Sequence, residues 1–165
     1  MTSKKIDKKA LVTLIIQNLE KELSQAVNAA NEAHASAIDD QSIAETQYDT
    51  LAIEASYLAE GQSRRVQELH AAIKDYQTLS LLKFNDNNEI ALSALVQLAG
   101  TNQEQNWFFI GPAAGGFRCQ LNNQHITVLT PKSPMGLALI GKFLDDDVDI
   151  IFENKKLTDY IELVQ

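Results

Sequence analysis

Three carboxylates lie close together in the first half of the chain, in a segment without basic residues. Asp39, Asp40 and Glu45 fall between Glu22 and Ser63, and this whole span contains neither lysine nor arginine. Carboxylates without basic neighbours stay free to bind a cation or a basic partner. Mg²⁺ is commonly held by one or two carboxylates while water or another molecule completes its coordination. The segment is therefore a candidate site for a metal ion that a partner also binds. Without the partner, its affinity for the ion would be weak.

The same carboxylates also have a purely structural interpretation. An aspartate at the start of a helix accepts hydrogen bonds from the free backbone N–H groups and interacts favourably with the helix dipole. Asp39 or Asp40 could cap a second helix in this way, with the remaining acidic residues forming a solvated surface. Composition alone leaves both interpretations open.

Arg64 and Arg65 are the only pair of adjacent basic residues in the first half beyond its N-terminal end. In a helical hairpin, residues near 20 should lie beside residues near 62, so ion pairing is one interpretation. The acidic partners would be Glu20, Glu22, Glu60 and Glu68. The functional alternative is contact with RNA or with an acidic partner surface, since a guanidinium group binds phosphate and carboxylate through several N–H donors.

The other reactive residue types do not form a recognisable catalytic set. The three histidines are scattered without zinc-ligand spacing, and Cys119 falls in a predicted strand, where a core role is expected. The segment Gly111 to Gly116 lacks the lysine and Ser/Thr of a phosphate-binding loop and is interpreted as a hairpin loop. The acidic run at Asp145 to Asp149 is interpreted as a solvated turn. We therefore do not expect a self-contained enzyme, and at most a protein that stimulates the activity of another.

The distribution of glycine and proline indicates which elements position these residues. The first glycine is Gly61 and the first proline is Pro112, and all the others follow in the second half. The first half also has apolar residues at alternating spacings of three and four, which is typical of a coiled coil. Its first seam is Val12, Ile16, Leu19, Leu23, Ala26, Ala30, Ala33 and Ala37. Its second is Ala44, Tyr48, Leu51, Ala55, Leu58, Gln62, Arg65, Leu69, Ala72, Tyr76 and Leu79.

A short polar link around Ser36 to Ser42 separates the two seams, so we expect an antiparallel helical hairpin. The hairpin would occupy residues 1–80, with its tip at about residues 36–44. The small residues of the first seam predict that the helices approach closely toward this tip. A rod of this kind could enter a partner, or it could serve as a dimerising or spacing element.

Residues 81–165 are predicted to form strands and one short helix. The strand-like runs are Ile90 to Leu98, Trp107 to Ile110, Phe117 to Leu121, Ile126 to Leu129, Val148 to Phe152 and Tyr160 to Val164. Asn122-Asn123 predicts a hairpin turn between the third and fourth of these runs. Ser133 and Pro134 predict the N-cap and first residue of the helix, and Gly141 predicts its end. The fold class is therefore α+β.

Composition limits the kind of partner. The 165 residues carry a formal net charge of −8, so little direct affinity for DNA or for an anionic membrane surface is expected. A single cysteine excludes an internal disulfide, and no apolar run is long enough for a membrane span. A cytoplasmic protein that reaches nucleic acid through a protein partner is expected.

One segment of the second half resembles the Gre family of bacterial transcription elongation factors. Thr130-Pro131-Lys132-Ser133-Pro134-Met135-Gly136-Leu137-Ala138-Leu139-Ile140-Gly141-Lys142, followed by Asp145-Asp146-Asp147-Val148, is similar to the signature of their C-terminal domain. In the hairpin, Glu45, Tyr48 and Arg65-Val66-Gln67-Glu68-Leu69 are similar to the second coil arm of the family. The stretch from Tyr48 to Gln62 looks closest to a divergent branch.

This resemblance implies an FKBP-like C-terminal domain, a curved antiparallel sheet packed on one short helix. It also implies RNA polymerase as the partner and the RNA 3′ end as an indirect one. In the family the C-terminal domain docks at the rim of the secondary channel and the hairpin enters it. The tip then helps to hold a second Mg²⁺ that activates water for cleavage of backtracked RNA.

Carried over to this sequence, the resemblance assigns Asp40 and Glu45 to the metal-donating tip, with Asp39 as an alternate. The docking residues would be Ser133, Pro134, Met135, Gly136, Gly141 and Lys142. Gln41 and Thr46 depart from the tip pattern of the family, so a channel regulator without cleavage is the alternative. An FKBP-like folding helper and a structural coiled-coil adaptor are the alternatives from other classes.

Overall fold

The computed structural model describes residues 5–41, 49–100, 106–152 and 154–165. The chain forms two compact units. One is Ile16–Lys74, and the other combines Met1–Ile15 with Asp75–Gln165. No helix within the described ranges is long and apolar enough to cross a membrane.

Two long helices account for most of the first half. Helix α1 spans Lys8–Gln41, which at 1.5 Å per residue is about 51 Å, and helix α2 spans Asp49–Gln77. Asp7 caps α1, because its Oδ1 accepts hydrogen bonds from the backbone N–H groups of Lys9 at 2.9 Å and Ala10 at 3.2 Å. The polar link predicted around Ser36 to Ser42 is wrong over most of its length, since α1 continues through Gln41.

Small residues form the buried stripe of α1 in the helical unit, as the first seam predicts. Ala26, Ala30 and Ala33 are buried, and on α2 Ala59 and Leu69 are buried. Alanine on a helix face lets a neighbouring helix approach closely. The second seam is wrong by one position here, because the predicted Leu58 is exposed and Ala59 is buried in its place.

The beginning of α1 also buries a different face from the one predicted. Leu11 and Ile15 are buried, whereas the seam residues Val12 and Ile16 are only partly buried. Leu11 and Ile15 belong to the compact unit that holds the sheet. The coiled-coil period predicts one buried face along the whole helix, because it assumes one partner throughout. The beginning of α1 packs within the other unit and therefore buries a different face.

The second half forms a six-stranded sheet and one short helix. The strands are β1 Leu95–Leu98, β2 Asn106–Ile110, β3 Arg118–Leu121, β4 Gln124–Leu129, β5 Asp147–Phe152 and β6 Lys155–Val164, and helix α3 spans Pro134–Leu139. The spatial order is β3-β4-β2-β1-β6-β5. The predicted runs overlap these strands, but only the last four residues of Ile90 to Leu98 are paired, and β6 begins at Lys155, five residues before the predicted Tyr160. The α+β class is confirmed.

The sheet is mixed and not wholly antiparallel as the resemblance implied. Strands β2 and β4 are parallel, with Trp107 opposite Ile126 and Phe109 opposite Val128. The interpretation of Gly111 to Gly116 as a hairpin loop is therefore wrong. This segment carries the chain from the end of β2 to β3, and β4 then returns between these two strands.

The predicted β3–β4 hairpin is confirmed. Asn122 and Asn123 have φ angles of 52° and 65°, the left-handed conformation that two-residue hairpin turns require and that asparagine tolerates. The sheet and α3 share one apolar core, whose central residues are Ile90, Ala94, Val96, Leu98, Ile110, Leu139, Val148 and Ile161. Helix α3 contributes the buried Leu139 to this core, and its Met135 and Ala138 pack against it.

Candidate functional site

The predicted acidic tip is described only in part. Asp39 and Asp40 lie in the backbone of the last turn of α1, so neither is the N-cap of α2. This removes the structural interpretation in which one of them starts the second helix. The side chains of both aspartates, and Glu45 altogether, lie outside the described residues. Their pairing around a metal ion remains a prediction.

The described part of the chain contains no group of three or more His, Cys, Asp or Glu residues arranged to hold a metal ion. The acidic run that follows α3 is engaged in local structure. Asp146 accepts a hydrogen bond from the backbone N–H of Phe143 at 2.7 Å, and Asp149 pairs with Lys156 at 2.9 Å. The hydrogen bonds from Lys156 and Thr158 hold the pKa of Asp149 below its usual range.

Arg64 and Arg65 form ion pairs with three of the four predicted acidic partners, and one of these pairs crosses the hairpin. Arg65 lies 2.8 Å from Glu22 of α1 and 3.5 Å from Glu68, while Arg64 lies 3.3 Å from Glu60. The Arg65–Glu22 contact joins the later part of α2 to the earlier part of α1, as an antiparallel hairpin requires. These pairs are exposed and contribute at most about 1 kcal/mol each. Contact with RNA or a partner remains a prediction.

Four of the predicted docking residues build helix α3. The Ser133 Oγ accepts a hydrogen bond from the backbone N–H of Gly136 at 3.0 Å and donates one to the Thr130 carbonyl at 2.8 Å. Pro134 occupies the first turn, where its missing N–H is not needed. Gly136 packs so closely that a Cβ at its position would collide with the Thr130 carbonyl oxygen. Gly141 ends the helix with a φ of 79°.

The remaining two docking residues have mixed roles. The Lys142 Nζ donates a hydrogen bond to the Asp147 carbonyl at 3.0 Å, and its own carbonyl accepts one from the Ile90 N–H at 2.7 Å. Met135 is partly buried and packs against the core. The six residues therefore hold a rigid turn in place, and whether they also touch a partner remains a prediction.

This turn exposes apolar side chains that the sequence reasoning did not single out. Leu137 is 67% exposed, Phe143 is 42% exposed and Ile140 is 37% exposed. Leu137 and Ile140 lie three positions apart and so share one side of the helix end. The sequence carries no signal for this exposure, because Met135, Ala138 and Leu139 of the same apolar run do pack in or against the core.

Cys119 and the loop after β2 have structural roles. Cys119 is partly buried in β3, and burial raises the pKa of its thiol, which disfavours the nucleophilic thiolate. In the loop, the Ala113 carbonyl accepts a hydrogen bond from the Tyr76 hydroxyl at 2.7 Å. This contact explains why glycine is needed at 111, where a Cβ would collide with the same hydroxyl.

These elements define a two-part α+β protein in which a helical pair rich in carboxylates precedes a mixed sheet with a capped short helix. Among curated proteins, the transcription elongation factor GreA of Yersinia pestis is 30% identical over 88 residues. The match covers 52% of this chain and 51% of GreA, so the chain spans about half the length of the curated relatives it matches. The resemblance to the Gre family is thereby confirmed, although no protein-family model matches the chain.

Solved structures of GreA homologues also match along most of the chain. The GreA factor homolog Gfh1 of Thermus thermophilus is 15% identical with a TM-score of 0.36, and the match covers 94% of this chain and 93% of that protein. Gfh1 of Thermus aquaticus is 18% identical with a TM-score of 0.38, covering 90% and 92%. These TM-scores are too low to support an argument about fold or activity.

Proposed function

We propose that this protein is a transcription elongation factor that binds the secondary channel of RNA polymerase and stimulates cleavage of backtracked RNA. The observation that carries the proposal is the sequence match to GreA, whose name states its role in elongation. The protein would act in the cytoplasm and would not be an enzyme alone. It would stimulate an activity that belongs to the polymerase.

The helical pair supports this proposal through its length and charge. Helix α1 runs without interruption from Lys8 to Gln41, and its last turn contains Asp39 and Asp40. Residues 22–63 contain no lysine or arginine, so these carboxylates have no basic neighbour in the sequence. Asp40 and Glu45, with Asp39 as alternate, would supply oxygen ligands to a Mg²⁺ ion that the polymerase also binds. Such an ion activates water for attack on a phosphodiester.

Helix α3 and its following turn support the docking part of the proposal. The Ser133 cap, the tight packing at Gly136 and the left-handed Gly141 fix a short rigid element. That element presents Leu137 and Phe143 to solvent beside Lys142. A contiguous exposed apolar patch is typical of a protein-binding surface, and Leu137 and Phe143 would belong to such a patch on this element.

The decisive experiment measures transcript cleavage in a stalled, backtracked elongation complex with Mg²⁺. Wild-type protein should shorten the RNA, and Asp40→Ala/Glu45→Ala should lose this stimulation by about a hundredfold, because metal ligands stabilise the developing charge directly. Glu32→Ala is the matched control, since it removes an exposed carboxylate from the same helix and should keep full activity.

The alternative outcomes separate the competing functions. Binding of wild-type protein to the polymerase without any shortening of RNA would make the protein a channel regulator and would overturn the tip assignment. Failure to bind the polymerase at all would overturn the whole proposal and leave a folding helper or a coiled-coil adaptor. The departures at Gln41 and Thr46 from the family tip are what make the regulator the second candidate.

A further inference from the structure

A cavity of about 690 Å³ lies in the unit that holds the sheet, and none of its lining residues is a metal ligand or docking residue in the proposed function. Its walls come from the start of α1, from the segment that leads from α2 into the sheet and from the end of β6. The basic residues at this cavity, called here the pocket lysines, are Lys5, Lys8, Lys9 and Lys83. Its apolar walls include Ile6, Leu82, Phe84 and Val164.

The concentration of positive charge is unusual for this chain. The protein has 14 lysine and arginine residues against 22 acidic ones, and four of the 14 surround one cavity. Within the described ranges, none of the pocket lysines lies within 4.0 Å of a carboxylate. Asp7 is the acidic residue of the lining, and its carboxylate is occupied in capping α1. The four pocket lysines therefore outnumber the one acidic side chain of the lining, which leaves a net positive charge on the side chains of the cavity wall.

Lys8 is held in a fixed position at the cavity wall. Its Nζ donates a hydrogen bond to the Leu82 carbonyl at 2.7 Å and lies 4.7 Å from the centre of the Phe84 ring. The wall beside it is also fixed, because the backbone N–H of Ile6 donates a hydrogen bond to Gln165 Oε1 at 3.0 Å. An ammonium group held in place by a carbonyl and a ring still has a donor to offer a ligand.

We infer that this cavity binds a small organic anion, a phosphate- or carboxylate-bearing molecule with an apolar body. The pocket lysines would contact the anionic group and the apolar walls would bury the remainder. The volume is within the range of sites for small molecules and cofactors, which combine mostly apolar walls with a few polar contacts. A bare anion lacks the apolar part and an apolar molecule lacks the charge, so each should bind more weakly.

Protonation of Lys8 should be coupled to binding. Burial and the nearby Lys5 ammonium lower the pKa of Lys8 to about 8. Lys9 on the same element and Lys83 across the cavity add like charge, Asp7 adds the opposite charge, and the side chains of Val164 and Gln165 carry none. A bound anion favours the charged form, so affinity should fall as the pH rises above about 8.

Calorimetric titration of the full chain with naphthyl phosphate tests this inference. Saturable binding with a Kd below about 1 mM is expected at pH 7, with weaker binding of naphthol and of inorganic phosphate. Raising the pH to about 9.5 should weaken binding by about tenfold. The second pKa of a phosphate monoester is about 6, so the ligand keeps its charge over this range and the loss must come from the protein.

Variants identify the site. Lys8→Met and Lys83→Met should each weaken binding at least about fivefold through loss of one charge, whereas Lys21→Met, an exposed lysine of α1 outside the cavity, should leave it unchanged. Circular dichroism establishes whether each variant folds. If Lys8→Met does not fold, Lys83→Met alone tests the site. Absence of saturable binding, or equal binding by both pocket variants and wild type, would overturn the inference. Binding of polyglutamate in place of naphthyl phosphate would overturn it in favour of an acidic protein partner.

Discussion

Tyr76 is the residue that ties the end of α2 to the sheet in its compact unit. Its side chain is buried and its hydroxyl donates to the Ala113 carbonyl at 2.7 Å. Burial raises the pKa of Tyr76 above its ordinary value of 10.0, so the hydroxyl stays neutral and remains a donor at every pH at which the protein would operate. One hydroxyl thus fixes a loop beside a helix, a contact that no local sequence signal predicts.

Tyr76→Phe should lower the free energy of unfolding by about 1–2 kcal/mol, because it leaves the Ala113 carbonyl without its donor in a partly buried site. Tyr57→Phe is the matched control, since Tyr57 is 70% exposed on the same helix and its change should be close to neutral. Urea unfolding of both variants measures the difference. Equal stability of the two would show that the Tyr76 hydroxyl contributes nothing.

Lys8 makes the stability of the protein depend on pH in the alkaline range. Its pKa is about 8 in the folded protein and is expected near its ordinary 10.5 in the unfolded chain, so between these values the unfolded chain binds more protons. The free energy of unfolding should therefore rise with pH across this window. The rise should be about 1 kcal/mol, since Lys8 is only half buried and solvent screens its charge.

Lys8→Met should lose this component of the pH dependence, and Lys21→Met should keep it. Denaturant unfolding at several pH values between about 7 and 10.5 measures both curves. Parallel curves for wild type and Lys8→Met would contradict the assignment, because every other titrating group is shared.

At the scale of elements, two glycines in helices predict opposite effects of the same substitution. Gly136→Ala would place a Cβ against the Thr130 carbonyl and should destabilise by more than about 2 kcal/mol, because backbone has to move. Gly61 lies in α2 with nothing within 4 Å of an added Cβ, so Gly61→Ala should stabilise by about 0.5–1 kcal/mol. Thermal unfolding of the two variants should give shifts of opposite sign. A stabilising Gly136→Ala would refute the packing described at Gly136, and a destabilising Gly61→Ala would refute the open space described at Gly61.

Helix α3 and the β3–β4 hairpin could be predicted from the sequence because their signals are local. Ser133, Pro134 and Gly141 each act within one or two turns, and Asn122-Asn123 determines its own turn. The parallel pairing of β2 with β4 depends on how the chain crosses the sheet, and no residue in the Gly111–Gly116 loop encodes that path locally. The burial of Ala59 instead of Leu58 likewise depends on how the two helices pack. The periodicity of apolar residues predicts the buried face only to within one residue.

The metal-binding chemistry of the acidic tip stays a prediction, and the sequence did not indicate which apolar side chains of the second half are exposed. The sequence identifies the span of carboxylates without basic residues, and the structure adds that Asp39 and Asp40 are helical. The residues of the motif at 133–142 were interpreted as contacts to a partner. A sequence motif does not distinguish the residues that build a structural element from the residues that the element exposes to solvent. Burial makes that distinction and indicates Leu137, Ile140 and Phe143 as the apolar surface.

At the scale of the whole molecule, the proposed function assigns binding and chemistry to residues far apart in the chain. The proposed docking surface would lie at residues 137–143, and the proposed metal ligands would lie at about residues 39–45. A variant that retains the docking surface but lacks the metal ligands should bind the polymerase without promoting cleavage. Such a variant should therefore act as a competitor of the wild type.

Excess Asp40→Ala/Glu45→Ala protein should reduce cleavage by wild-type protein in proportion to its occupancy, because its docking residues are unchanged. Adding Leu137→Asp and Phe143→Asp to this variant should abolish the inhibition, since a charge at each exposed apolar position opposes burial against a partner. Both changes are at solvent-exposed positions, so folding should be preserved, and circular dichroism establishes this. Cleavage rates at increasing ratios of variant to wild type measure the effect. Inhibition that persists without Leu137 and Phe143 would place the docking surface elsewhere on the molecule, whereas a tip variant that never competes would show that binding itself needs the carboxylates.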